Sequence, residues 1–329
     1  MSVGASELLA DPEAAVDAAE VAPGEIAARS PRQLFWRRFR SDRVAMGSAI
    51  FIIVLIVVAI AAPLVVKLLG LPGPNVQDPN ATDAFGSPLG PSSAHPLGVD
   101  GLGRDVLSRI IYGARVSLEV GIIGTGLATI IGIVFGLLAG FYRGWVDTGI
   151  SRLVEVFLAF PVLVLGLGIG AACGVRGCAG GLIQPGIGTV LFIITIASFT
   201  YIARITRGQV LSLREKEFVE ASRSLGASNT RILFREILPN LIAPLIVYAS
   251  LLIPTNILLE AGLSFLGVGV RPPTASWGQM ISDASNYLAP PAAWWYMVFP
   301  GIALVLTVLA FNLVGDGLLD ALNPRGESR

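Results

Sequence analysis

Six long apolar stretches constrain the fold of this chain more than any other feature of its sequence. Each is long enough to cross the hydrocarbon core of a bilayer as a helix, and none alternates polar and apolar residues as a transmembrane β-strand does. Backbone groups in lipid must be hydrogen-bonded within the protein, so we predict an all-α membrane protein with six transmembrane helices. The predicted spans are Val44–Val66, Ser117–Gly140, Val156–Ala172, Ile187–Ala203, Leu241–Glu260 and Val298–Leu318.

The composition excludes most soluble and catalytic classes. Only 14% of the 329 residues are charged, against about 25% in a soluble domain. The 23 basic residues balance the 23 acidic ones, which argues against a nucleic-acid-binding protein. Neither lysine, Lys67 or Lys216, follows a glycine, so no phosphate-binding loop of an ATPase can be written. One histidine, His95, and two cysteines are too few for a zinc or iron–sulfur site. We predict a non-catalytic chain that itself binds no cofactor, metal or nucleic acid.

The distribution of Lys and Arg among the connecting segments predicts the orientation in the membrane. Segments 1–43, 141–155, 204–240 and 319–329 together contain 17 of the 23 basic residues. Cytoplasmic connections carry such an excess, so both termini are predicted to be cytoplasmic, and residues 67–116 form an extracytoplasmic loop. The last segment, 319–329, is then a cytoplasmic C-terminal tail.

The residues before the first span divide into two segments. Residues 1–30 contain six acidic residues, one arginine and no aromatic residue, which predicts a disordered cytoplasmic tail. Residues 31–43 interleave five arginines with three aromatic residues, which favours a basic amphipathic flank on the cytoplasmic leaflet. A simple stop-transfer flank explains the charge equally well. The following span, 44–66, is too long for a cleaved signal peptide and is interpreted as an anchor.

Small residues recur at every fourth position of the second span, which suits close helix packing. A packing seam is favoured over a flexible glycine hinge. The seam consists of Gly124, Ala128, Gly132, Gly136 and Gly140.

The fifth span combines a proline with a polar stripe. Pro254 removes one hydrogen bond from the helix, and Tyr248, Asn256 and Glu260 lie on one face beside it. Polar groups at membrane depth face a wet cavity or another helix. We favour a role in lining a translocation path, with hydrogen bonding between helices as the alternative.

Two cysteines occur in the chain, both in the short outer connection that follows the third span. Cys173 and Cys178 are separated by four residues, two of them glycines, on the side that is oxidising in bacteria. A disulfide is predicted, with two free thiols as the alternative.

The cytoplasmic loop 204–240 contains a short amphipathic helix, predicted over Arg214–Gly226. Glu220 points away from the apolar stripe of this helix, and Gly226 supplies the left-handed residue that ends it. A second helix is predicted from Ser228 towards Pro239. The stripe consists of Phe218, Ala221, Ser222 and Leu225.

The sequence E-A-S-x-x-x-G at Glu220–Gly226, followed by Leu238-Pro239, resembles the EAA loop of ABC-importer permeases. Ser222 stands where the family pattern has a second alanine, and Glu236 stands where it has an isoleucine. The resemblance implies a coupling helix that enters a cleft of a cytoplasmic ATPase subunit. The implied contact residues are Glu220, Ala221, Ser222, Leu225 and Gly226.

Two further segments, His95–Leu118 and Glu260–Gly278, are similar to dipeptide/oligopeptide permease C subunits. This resemblance implies a type I ABC importer permease fold, with residues 117–318 as its core, in the bacterial plasma (inner) membrane. The implied partners are a related permease in a heterodimer, two ATPase subunits that bind ATP and Mg²⁺, an extracytoplasmic solute-binding protein, peptide cargo and membrane lipid. Nickel chelates, glutathione or oligosaccharides are alternative cargoes. An ion-coupled secondary transporter is a more distant alternative.

The outer segment before the second span is predicted to turn at Asp100-Gly101 and then to form an interfacial helix over Arg104–Gly113. A structural plug over the outer mouth of the bundle is favoured. The alternative is a landing surface for the binding protein, and both roles are compatible.

Overall fold

The computed structural model describes residues 31–83, 86–174, 176–287 and 293–322, in which the regular elements are helical. The predicted tail 1–30 and residues 323–329 lie outside these ranges. The first α-helices in chain order are α1 (Pro31–Ser41), α2 (Arg43–Ile60), α3 (Ala62–Leu68), α4 (Val106–Tyr142), α5 (Gly144–Ala159) and α6 (Val162–Cys173). They are followed by α7 (Ile187–Leu213), α8 (Glu217–Ser224), α9 (Asn229–Arg231), α10 (Leu238–Phe265), α11 (Trp277–Ala284) and α12 (Trp294–Leu322).

The described residues provide five single helices that can cross a membrane and one bent pair that can provide a sixth span. The single helices are α2, α4, α7, α12 and the unit Asn229–Phe265, which includes α10. The bent pair is α5 and α6, which meet at 88°. The number of apolar segments therefore agrees with the six predicted spans.

Proline breaks two of the predicted spans. The third span is not one straight helix over Val156–Ala172, because Phe160 is extended (φ −89°, ψ 133°) before Pro161. A residue before proline disfavours the helical conformation, so the chain turns there. The first span is also divided, since α2 ends at Ile60 and α3 begins with Pro63 in its first turn.

The predicted interfacial helix over Arg104–Gly113 is wrong as a separate element. Residues 106–113 are the first turns of α4, which continues for 37 residues. The Asp105 carboxylate caps this helix by accepting a hydrogen bond from the Ser108 amide at 2.7 Å. No turn therefore separates residues 106–113 from the predicted second span, because both belong to α4.

The glycine seam of α4 is confirmed as a packing surface, and it lies against α7. A Cβ placed on Gly132 lies 2.6 Å from Cβ of Ile202, and one placed on Gly140 lies 2.7 Å from Cβ of Val210. Both distances are shorter than side chains tolerate, so only glycine allows this approach of the two helices. The pair α4 and α7 forms the centre of the bundle.

The connection after α6 is closed by a disulfide between Cys173 and Cys178, whose Cα atoms lie 5.0 Å apart. The backbone of Cys178 also pairs with that of Ile183 in an antiparallel bridge. This outer connection is therefore a compact loop that leads into α7.

Candidate functional site

The loop 204–240, called the coupling loop after its predicted role, is built around α8, which is shorter than the helix predicted over Arg214–Gly226. Lys216 is extended (ψ 148°) and forms the N-terminal boundary. At the other end Gly226 adopts φ 81°, and its amide donates to the Arg223 carbonyl at 2.9 Å. The predicted left-handed glycine is thus confirmed as the residue that ends the helix.

The apolar residues of α8 face two directions. Val219 is fully buried against Ile232, Leu233 and Ile237. Leu225 of the predicted stripe is 89% exposed instead. Val219 is therefore the side chain that packs α8 against the rest of the loop.

The predicted stripe lies on the outside of the loop. Phe218 is 38% exposed, and Ala221 is also exposed, with Ser222 half-buried. Glu217, Glu220 and Arg223 form no ion pair within the part of the chain that the structure describes. The outer surface of α8, formed by Phe218, Glu220, Ala221 and Leu225, combines apolar and charged groups without partners there.

Sequence reasoning missed Val219 because it lies only 100° from Phe218 around the helix. A helical wheel therefore shows two neighbouring apolar faces on α8. It does not show which of the two is buried within the protein. The signal that distinguishes them is the run of apolar residues at 232–237, which requires an apolar partner within the loop.

The second helix of the loop does not end at Pro239 as predicted. The predicted cap is confirmed, since the Ser228 hydroxyl accepts from the Arg231 amide at 3.3 Å. From α9 the chain continues through a π-helical turn, Ile232–Ile237, directly into α10. Pro239 lies in the first turn of α10, where a missing N–H is tolerated. Movement of the loop is therefore coupled directly to a membrane span.

Charged side chains fasten the base of the loop to the ends of α4 and α5. Arg143 contacts Glu215 at 2.5 Å, and Nη1 of Arg214 donates to the Phe141 carbonyl at 2.6 Å. Burial lowers the pKa of Arg214, and the positive charges of Arg143 and Arg223 lower it further. An arginine remains protonated at neutral pH even so, and the contact to the α4 carboxyl end persists.

A second fastening joins α5 to α7. Nε and Nη2 of Arg207 donate to the two carboxylate oxygens of Asp147 at 2.5 and 2.8 Å. Ser151 donates to the same carboxylate at 3.1 Å. A planar two-point contact of this kind fixes the orientation of both helices.

Asn256 forms hydrogen bonds to two neighbouring helices in this structure. Its amide oxygen accepts from Ser198 of α7 at 2.8 Å, and its amide nitrogen donates to Thr125 of α4 at 2.8 Å. Only 1% of Asn256 is exposed, although no partner chain covers it. The alternative, hydrogen bonding between helices, describes the observed arrangement.

Glu260 is likewise enclosed in this structure. Its carboxylate accepts hydrogen bonds from Ser117 of α4 at 3.0 Å and from Ser264 at 2.8 Å. Pro254 is buried as well, whereas Tyr248 is half-buried. In this structure the polar residues of the stripe therefore mainly form hydrogen bonds between α10 and the neighbouring helices.

The segment His95–Leu118, called the outer segment after its predicted location, is folded around buried ion pairs. Asp100 contacts Nε of Arg104 at 2.6 Å and Nε of Arg109 at 3.3 Å, and all three residues are buried. Nδ1 of His95 lies 3.0 Å from Asp105. These charges are paired with one another within the chain, which favours the structural plug over the landing surface. The described residues contain no group of three His, Cys, Asp or Glu side chains that could hold a metal ion.

Two family profiles match this chain. Residues 132–327 match the binding-protein-dependent transport system inner membrane component. Residues 30–88 match the N-terminal TM domain of oligopeptide transport permease C. The larger match contains the coupling loop, α10 and α12.

Curated relatives and solved structures agree with these profiles. The glutathione transport system permease protein GsiD of Shigella flexneri serotype 5b (strain 8401) is 42% identical over 299 residues, 90% of this chain and 91% of the relative. GsiD of Escherichia coli O157:H7 is 41% identical over the same shares. An inward-facing structure of the MetNI methionine ABC transporter (native CY5 crystal form) matches with a TM-score of 0.54 and 20% identity, over 66% of this chain and 97% of that one. The fold is that of an ABC importer permease, and the chain belongs to the family of binding-protein-dependent transport system inner membrane components.

Proposed function

We propose that this chain is the permease subunit of an ATP-driven importer of small peptides. The oligopeptide profile over residues 30–88 supports peptide cargo. Glutathione, itself a tripeptide, is the specific candidate, because the relatives at 41–42% identity are named as glutathione permeases. The observation that carries the coupling role is the outer surface of α8, which exposes Leu225 and Glu220 while Val219 anchors the helix.

The coupling residues proposed are Glu220, Ala221, Ser222, Leu225 and Gly226. Phe218 and Leu225 offer apolar contact to a cleft of an ATPase subunit, and Glu220 offers a charge. Closure of the ATPase dimer on ATP would move α8, and the continuous chain from α9 through the π turn transmits this movement to α10. The permease would supply two conformations, between which the ATPase shifts the population.

The assembly proposed contains a related permease, two ATPase subunits and an extracytoplasmic solute-binding protein. The enclosure of the polar residues of α10 within this chain supports a second permease, because the wet path would then lie between the two subunits. ATP and Mg²⁺ would be bound by the ATPase subunits, and this chain would hold no cofactor and perform no chemistry. Both termini are proposed to be cytoplasmic, on the strength of the Lys and Arg distribution.

The test uses the complete complex reconstituted in liposomes with its binding protein outside. Binding protein loaded with glutathione should stimulate ATP hydrolysis and drive uptake of the labelled peptide, and a dipeptide should compete only if the cargo range is broad. Stimulation only by a nickel chelate or an oligosaccharide would contradict the peptide proposal. Uptake driven by an ion gradient without ATP would contradict the importer mechanism.

A further inference from the structure

We propose that the N-terminal helix α1 and the ends of α10 and α12 form a binding site for one anionic phospholipid. This inference is independent of the cargo and of the coupling role of α8. It rests on an apolar groove and a basic surface that meet at one tryptophan.

The apolar groove opens between α1, α10 and α12. It has a volume of about 490 Å³, and its walls include Phe35 and Trp36 of α1, Val247 and Ile246 of α10, and Leu318 of α12. Ile246 is 57% exposed and Trp36 is 54% exposed. The groove runs beside membrane spans, where an acyl chain is the available apolar molecule.

The basic surface lies on the next face of α1. Arg37 and Arg40 line a shallow open cavity together with Gln33, Ser41 and Trp36, the residue that also lines the groove. Neither arginine forms an ion pair within the part of the chain that the structure describes. The Arg40 guanidinium lies 5.7 Å from the centre of the Trp36 ring. Two guanidinium groups beside an apolar groove match a lipid phosphate above its acyl chain.

Nearby carboxylates do not neutralise this surface. Asp42 is engaged as the cap of α2, where it accepts from the amides of Val44 and Ala45 at 2.9 and 3.0 Å. Asp316 and Asp320 of α12 lie two positions from Leu318, about 200° around the helix, and so point away from the groove. Asp42 keeps its negative charge, but Arg37 and Arg40 outnumber it, so the surface beside the groove is basic.

The site is also held in place by packing. Phe39 is buried against Ala45 and Ala321, and Ala45 contacts the position where Gly317 lacks a side chain. The orientation of α1 on α12 is therefore fixed before a lipid binds, which lowers the entropic cost of binding.

The experiment measures quenching of tryptophan fluorescence in the detergent-solubilised complete complex. Phosphatidylglycerol with brominated acyl chains should quench a component that is absent from Trp36→Phe, and brominated phosphatidylcholine should quench it much more weakly. The double variant Arg37→Gln/Arg40→Gln should bind the anionic lipid about 30-fold more weakly, since each arginine near a membrane surface contributes about fivefold. Ala243→Phe, which fills the groove from α10 without adding a tryptophan and leaves both arginines in place, should also weaken binding.

The matched control is Arg152→Gln, which removes an exposed arginine of α5 and should leave the affinity unchanged. The proposal is overturned if the double variant binds like the wild type, or if phosphatidylcholine binds equally well. It is also overturned if free glycerol 3-phosphate displaces the lipid at equal concentration, because the groove would then contribute nothing. Absence of the Trp36 component in the wild-type complex would also overturn the proposal, because the groove would then be covered by protein and not by lipid.

Discussion

The outer segment, predicted to be extracytoplasmic, and the coupling loop, predicted to be cytoplasmic, are both charged, yet they use their charges in opposite ways. In the outer segment Asp100, Arg104 and Arg109 are buried and paired with one another. On α8, Glu220 is exposed and has no ion pair in the described residues, and Leu225 is 89% exposed. The contrast shows which charges this chain needs for its own fold and which surface is left for a partner.

The largest expected effect comes from the outer segment. Asp100→Ala leaves two buried arginines without their carboxylate, which we expect to cost about 3–5 kcal/mol of stability. The measurement is thermal unfolding of the purified complex, together with the yield of assembled complex from membranes. Glu217→Ala, which removes an exposed carboxylate of α8, is the control and should change neither. Equal stability of the two variants would abolish the distinction between the two regions.

Val219→Ala should produce the next largest effect, because it removes the only fully buried side chain of α8. We expect a loss of about 2 kcal/mol from the packing of the loop. Amide hydrogen exchange over residues 213–237 should accelerate while exchange in the outer segment stays unchanged. Leu225→Ala removes an exposed leucine and is the matched control. Faster exchange in Leu225→Ala than in Val219→Ala would reverse the assignment of the two faces.

Gly226→Val should affect α8 through its backbone alone. A Cβ at this position meets no atom within 4 Å, but the residue has φ +81°. Left-handed backbone costs a side-chain-bearing residue about 1–2 kcal/mol, and a β-branched residue is the least tolerant. ATP hydrolysis stimulated by the binding protein should fall strongly, whereas Gly226→Asn, which tolerates this conformation better, should retain more of it. If valine and asparagine behave alike, backbone geometry at Gly226 does not control coupling.

Glu220→Ala should have the smallest effect. A single exposed charge contributes about 0–1 kcal/mol to a surface pair, so stability should stay unchanged and uptake should fall moderately. Uptake by reconstituted vesicles measures this, with Glu217→Ala as the control on the same helix. An equal loss in both variants would indicate general electrostatics rather than a specific contact of Glu220.

The sequence predicted the spans, the glycine seam and the loop motif because each depends on local pattern. The seam of α4 is visible as small residues at every fourth position, and the structure places α7 on it. Pro161 is itself a local signal for the break in the third span. The span was nevertheless predicted as one helix because the apolar residues continue on both sides of the proline. Hydrophobicity does not report the 88° bend between α5 and α6.

Other features depend on which elements meet in three dimensions. Sequence spacing showed Asn256 and Glu260 on one stripe of α10, but it did not show that Ser198, Thr125 and Ser117 lie opposite them. Without knowledge of those partners, the polar stripe was interpreted as the lining of a water-filled path. The face of α8 that the chain covers was hidden for the same reason, since the residues that receive Val219 lie in the π turn.

The central claim is that the outer surface of α8 transmits the signal of the ATPase without contributing to the fold. Its most direct test is the double variant Glu220→Ala/Leu225→Ala in the complete reconstituted complex. ATP hydrolysis stimulated by loaded binding protein is measured beside thermal unfolding and the amount of ATPase subunit retained. We expect unfolding unchanged and stimulation reduced about tenfold, as for loss of central interface contacts. Wild-type stimulation in a fully assembled double variant would contradict the account.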